Sequence, residues 1–138
     1  AELKNGALFK AARSYALCKN WDAALQIYDE LLLHDPKNIE ALESLAYIQA
    51  ATGDWSKAQE SYKALIDRNP SISEVLVNYT IVLLSQQKYE EAKESLEVLK
   101  TKFPDEEKIS SISKKIEEWE QTKIKDSSDQ IPQELKGF

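Results

Sequence analysis

The apolar positions of this 138-residue chain fall into columns. With the sequence broken into rows after Pro36, Pro70 and Pro104, Leu8, Leu42 and Leu76 stand above one another, as do Ala24, Ala58 and Ala92, and then Leu31, Leu65 and Leu99. Aromatic positions keep the same register, with Trp21, Trp55 and Tyr89 in one column and Tyr28, Tyr62 and Leu96 in another. The three prolines are evenly spaced, Pro36 to Pro70 being the same interval as Pro70 to Pro104. A fixed period of this kind marks repeated supersecondary units, each too small to bury its own apolar face and therefore stacked on its neighbours.

The spacing within each row predicts two helices per unit, at roughly 3–18 and 21–34, 38–51 and 55–68, and 72–86 and 89–102. Each Pro ends the second helix of its unit, because the ring removes a backbone donor and disfavours helical angles in the preceding residue. Asn38, Ser71 and Asp105 follow the prolines as expected N-caps, with Ser71 and Glu74 at capping-box spacing. Gly53 is expected to close the first helix of the second unit. Ala24, Ala58 and Ala92 are small enough to sit where the two helices of a unit cross, letting the backbones approach closely. Beyond Pro104 the period is lost, yet Ile109, Ile112, Ile116 and Trp119 share one helical face. They predict a seventh helix over 105–124 that caps the open end of the stack, with Trp119 in the core of the cap. Residues 126–138 read as a polar tail.

These residues resemble the tetratricopeptide repeat family in three units, 5–38, 39–72 and 73–106. The signature falls on Leu8, Ala11, Ala12, Tyr15, Ala24, Tyr28 and Pro36 in the first unit. The second carries it on Leu42, Leu45, Ala46, Gln49, Ala58, Tyr62 and Pro70, and the third, more loosely, on Leu76, Tyr79, Thr80, Leu83, Ala92, Leu96 and Pro104. The family's leading Trp is absent, and Ala or Thr stands where Gly is usual. The resemblance implies an all-α fold: a right-handed superhelical stack of antiparallel helix pairs, seven helices in a single domain over 1–125.

Composition narrows the partners. Lys and Arg number 18 against 24 Asp and Glu, a net charge of −6, and no basic stripe forms that could neutralise nucleic-acid phosphates. The longest apolar runs, such as 75–77 and 81–84, are far too short to span a bilayer. The chain opens AELKNGALFK without an apolar signal core. One Cys permits no intramolecular disulfide, and a reducing, cytoplasmic setting is expected.

Candidate chemistry is sparse. His34, the one histidine, is placed at a helix C-terminus, where a solvated imidazole suits the dipole. Cys18 has no second Cys and no nearby His, and a partly buried inert thiol is expected. No phosphate-cradling glycine loop, zinc-ligand spacing or calcium loop occurs. The acidic pairs at 90–91, 106–107 and 117–118 read as solvated helix faces. No enzyme activity, cofactor or metal is expected.

Family geometry implies that the first helix of each pair lines a concave groove. By column, that groove holds the apolar residues Phe9, Tyr47, Val77 and Ile81, the acids Glu40, Glu43 and Glu74, and the polar residues Arg13 and Asn78. Such a surface suits a protein or peptide bearing basic and apolar residues. Family members that hold acidic C-termini of heat-shock chaperones use a clamp of Lys, Asn and Arg. The matching columns here hold Phe9, Arg13, Ser44, Glu74 and Asn78, which argues against that ligand. The expected function is a non-catalytic adaptor capturing a partner segment during assembly of a complex. A small chaperone for a secreted or assembling client, and a scaffold that self-associates through its tail, are the alternatives.

Overall fold

The computed structural model describes residues 2–68 and 72–129. Among them are seven α-helices and no strand: α1 (Glu2–Leu17), α2 (Trp21–His34), α3 (Ile39–Ala51), α4 (Trp55–Arg68), α5 (Ser73–Ser85), α6 (Tyr89–Lys102) and α7 (Ile109–Asp129). Each helix packs against the next along the chain, so three hairpins and a terminal helix form a stack. No described helix is long and apolar enough to cross a membrane.

The first six helices begin and end within one residue of the positions expected from the period. The residues before Pro36 and Pro104 explain two of the stops: Asp35 has φ −139° and ψ 82°, and Phe103 has φ −135° and ψ 65°, well outside helical values. Asn38 caps α3 as expected, its side chain accepting from Ala41 N at 3.0 Å. Pro70, Ser71 and residues 130–138 of the tail expected over 126–138 lie outside the described residues. Asp105 is not an N-cap, because two consecutive turns occupy 104–108, held by Glu106 N donating to Phe103 O and Ile109 N to Glu106 O. The chain therefore enters α7 four residues later than expected, at Ile109. It also leaves later: residues 126–129 continue the helix, and the first proline after them is Pro132.

The corners inside the hairpins repeat with the period. Gly53 has φ +83°, and one period to either side Lys19 and Gln87 have φ +59° and +61°. Each is followed by the same closing bond: Asn20 N to Tyr15 O at 2.8 Å, Asp54 N to Gln49 O at 2.8 Å and Lys88 N to Leu83 O at 2.9 Å. Three corners thus share one left-handed geometry, of which only the middle one is written as glycine.

Packing follows the columns. Ala24, Ala58 and Ala92 are 0% exposed, as are Ala12, Ala46 and Thr80 at the family's glycine position. Thr80 fits because its hydroxyl is satisfied twice, donating to Leu76 O at 2.8 Å and pairing with Ser95 Oγ at 2.6 Å. Ser61, one period earlier, instead donates to Gln49 Oε1 at 2.7 Å. Two apolar clusters result, one centred on α1–α4 and the other on α5–α7, with Ile66 and Tyr79 packed against both. In α7, Ile112 and Ile116 are buried, whereas Trp119, expected in the core of the cap, is half-buried and stacks on Tyr89 with ring centroids 4.9 Å apart and planes 11° apart.

The corner geometry sets a stability test. Lys19→Gly and Gln87→Gly each raise stability by about 0.5–1 kcal/mol, since relief of a left-handed L-residue outweighs glycine's greater chain entropy. Gly53→Ala lowers it by about 1 kcal/mol through backbone conformation alone, because an added Cβ there meets nothing within 4 Å. Urea unfolding curves check both signs. Ala58→Leu wedges the helix crossing apart and costs about 3 kcal/mol or more, read as a fall in the same midpoint.

Candidate functional site

Two clefts open on the face built by α1, α3, α5 and α7. The first, of ≈ 670 Å³, brings together Arg13 and Leu17 of α1, Glu43, Ser44 and Tyr47 of α3, and Glu74, Val75 and Asn78 of α5. Trp21, Tyr28 and Tyr62 reach it from the second helices of their hairpins. Five of the nine residues expected in the groove therefore meet here: Arg13, Glu43, Tyr47, Glu74 and Asn78. Ile81, 37% exposed, lines the second cleft instead. Glu40 is exposed on α3, one turn before Glu43 and close enough to act on it electrostatically.

Phe9 and Val77 depart from expectation. Phe9 is half-buried and meets Tyr28 edge-on, with centroids 6.3 Å apart. Val77 is 1% exposed and clusters with Ile112 and Ile116 of α7, so it belongs to the core and not to the groove surface. Both occupy one column with Glu43 between them, and that column sits at the seam between helices rather than on the open ridge. The seam explains the electrostatics of Glu43. Its carboxyl is pushed above the usual range, first by desolvation and then by repulsion from Glu74 and Glu40. A carboxylate occupies a position that the other two repeats fill with Phe and Val.

Tyr62, read from the sequence as core alone, contributes to the same site. Its phenol is pushed up to about 12 by burial, against a hydrogen bond from the Asn78 side chain, with Glu74, Tyr47 and Glu43 adding to the rise. Glu43, Glu74 and the Tyr62 phenol thus lie within electrostatic reach of one another. Tyr47 stands beside them 60% exposed, an aromatic surface available to a ligand. Among the described residues no ion pair joins Arg13 to these carboxylates; the four present are Lys57–Asp54, Lys93–Glu120, Lys100–Glu97 and Lys123–Glu90.

The second cleft, ≈ 640 Å³, lies between α5 and α7. Its apolar lining is Ile81, Leu84, Ile112 and Trp119, and Lys108, Lys115 and Glu118 stand at its rim. Sequence columns could not show this cleft, because α7 lies outside the repeat. Elsewhere, His34 is exposed at the end of α2. Cys18 is also exposed, in the corner after α1, and not partly buried as expected. No group of three or more His, Cys, Asp or Glu side chains is disposed to hold a metal among the described residues.

Comparison with known proteins agrees with this architecture. The family model described as tetratricopeptide repeat matches residues 15–75 and again 49–116. No curated protein sequence matches the chain. Among solved structures, yeast Tom70 superposes with a TM-score of 0.80 at 19% identity, over 91% of this chain and 26% of that one. The first TPR of Spaghetti (RPAP3), bound to the HSP90 peptide SRMEEVD, gives 0.75 at 19% identity over 86% of this chain and 94% of that one. The TPR2B domain of yeast Sti1, in complex with pHsp70, gives 0.71 at 16% identity over 87% and 98%. At such identities the likeness is one of fold. The family match, by contrast, runs from the end of α1 through α6 and into α7, well over half of the chain: the chain belongs to the tetratricopeptide repeat family.

Proposed function

We propose that this chain is a non-catalytic interaction module whose first cleft captures a segment of a partner protein through a Lys or Arg side chain, within a multiprotein assembly. The observation that carries this reading is Glu43. A carboxylate desolvated in a seam, crowded by Glu74 and Glu40, is a cost to the empty protein that an incoming cation relieves. Tyr62 and Asn78 offer polar contacts beside it, and Tyr47 an aromatic surface for a guanidinium or ammonium. The same charges disfavour an acidic ligand. SRMEEVD, held by the Spaghetti domain, carries carboxylates that would meet Glu43 and Glu74 here. Arg13 and Lys19, on the α1 side of the cleft, oppose a basic ligand.

Labelled peptides of matched length, one basic and one acidic, test the sign. The basic peptide binds in fluorescence anisotropy and the acidic one does not. Replacing Glu40, Glu43 and Glu74 together by Lys weakens the basic peptide at least about 30-fold while far-UV circular dichroism stays unchanged. Arg13→Ala strengthens it. Equal binding of both peptides, or a triple variant that still binds, removes the cleft from the function.

The raised Glu43 carboxyl gives a pH dependence. The folded chain holds this proton more tightly than the unfolded chain, whose ordinary value is 4.5, so Glu43 destabilises the fold at neutral pH and ceases to do so as pH falls through its folded value. Glu43→Gln raises Tm by about 1–2 °C at pH 7 and leaves it unchanged at pH 4. Affinity for the basic peptide declines over the same fall in pH, since protonation removes the charge that binds it.

A further inference from the structure

The two clefts share a wall. On α5 the ridge Glu74, Asn78, Ile81, Ser85 runs at helical spacing, its first two residues facing the first cleft and its last two the second. Glu74 and Ile81 are seven residues apart, about 10 Å along the axis at 1.5 Å per residue. Extended backbone covers that distance in about three residues, and the sideways step from α5 towards α7 adds one or two more.

The second cleft is ready for an apolar side chain. Trp119 is fixed by its stack on Tyr89 and by the Lys123 ammonium 4.9 Å from its ring centroid, so little order has to be gained on binding. Ile81 lies open beside it. The charges facing α5 differ between the clefts: Glu43 and Glu74 stand on the α3–α5 side of the first, with Arg13 and Lys19 across from them on the α1 side, whereas the second carries Lys108 and Lys115, neither of which is held in an ion pair among the described residues. Glu118 tempers that positive end without reversing it.

From this geometry we infer that a single extended segment of the partner lies across both clefts, with a basic residue at Glu43 and Glu74 and a large apolar residue three to five positions away over Ile81 and Trp119. The inference rests on the reading of the first cleft given above and adds to it a second anchor, a spacing and a polarity. An acidic residue next to the apolar anchor meets Lys115, so the ligand is bipolar and one direction along the groove is favoured over the other.

A random dodecapeptide library displayed on phage and selected on the immobilised protein tests this. The expected sequences share Lys or Arg and, three to five positions from it, Leu, Ile, Phe or Trp. In anisotropy with capped synthetic copies, replacing the apolar residue by Ala weakens binding about tenfold, Ile81→Ser in the protein does the same, and the two changes together cost no more than either alone. Lys115→Glu, on the exposed side of α7, weakens peptides with an acidic residue beside the anchor and serves if Ile81→Ser disturbs folding. Selected peptides that depend on Glu43 and Glu74 but are indifferent to Ile81 and Lys115 overturn the two-cleft inference and leave the first cleft standing. Peptides without a basic residue, or no enrichment at all, overturn both.

Discussion

Three alanines fix the geometry on which everything else in this molecule depends. At Ala24, Ala58 and Ala92 the paired helices meet with no surface left exposed, so helix separation is set by backbone contact and not by side-chain size. Because the same contact recurs once in every repeat, each hairpin has the same shape and hands its apolar face to the next in the same orientation. The left-handed corners at Lys19, Gly53 and Gln87 reinforce this, since the same closing bond ends the first helix of each hairpin. A regular row of first helices is the outcome, and the clefts are the gaps that such a row leaves between α1, α3 and α5 and between α5 and α7.

Against that regular frame, chemistry enters by substitution within a column. Phe9, Glu43 and Val77 are equivalent by period, and two of them behave as packing residues. The third carries charge into the same seam. Repeat architecture makes such a change inexpensive for the fold, since a hairpin depends mainly on its nearest neighbours and one polar seam leaves the alanine crossings untouched. The family contributes the frame; the charges along it are this chain's own.

The fold was legible because its signal is repeated, and it failed where repetition stopped. Helix ends set by Pro36, Gly53, Pro104 and Asn38 follow from residue types with one dominant backbone effect. Lys19 and Gln87 were not readable as left-handed, because neither residue type announces that conformation; only the period, applied to Gly53, could have found them. The start of α7 was misjudged because Asp105 looks like a cap while two turns still intervene. At the site, Val77 was misplaced because a column assigns a residue to a helix side but not to the neighbour that covers it. Tyr62 was overlooked for the converse reason, since a tyrosine can be buried by its ring and still reach a cleft.

The division of the apolar interior has a mechanical side. Two clusters have Ile66 and Tyr79 in common, and α5 belongs to both, giving Val75 and Val82 to one and Leu76, Val77 and Leu83 to the other. The same helix carries the ridge that separates the clefts. A load placed on that ridge would reach both halves of the interior through one helix, which is where curvature of the stack and binding along it would be linked.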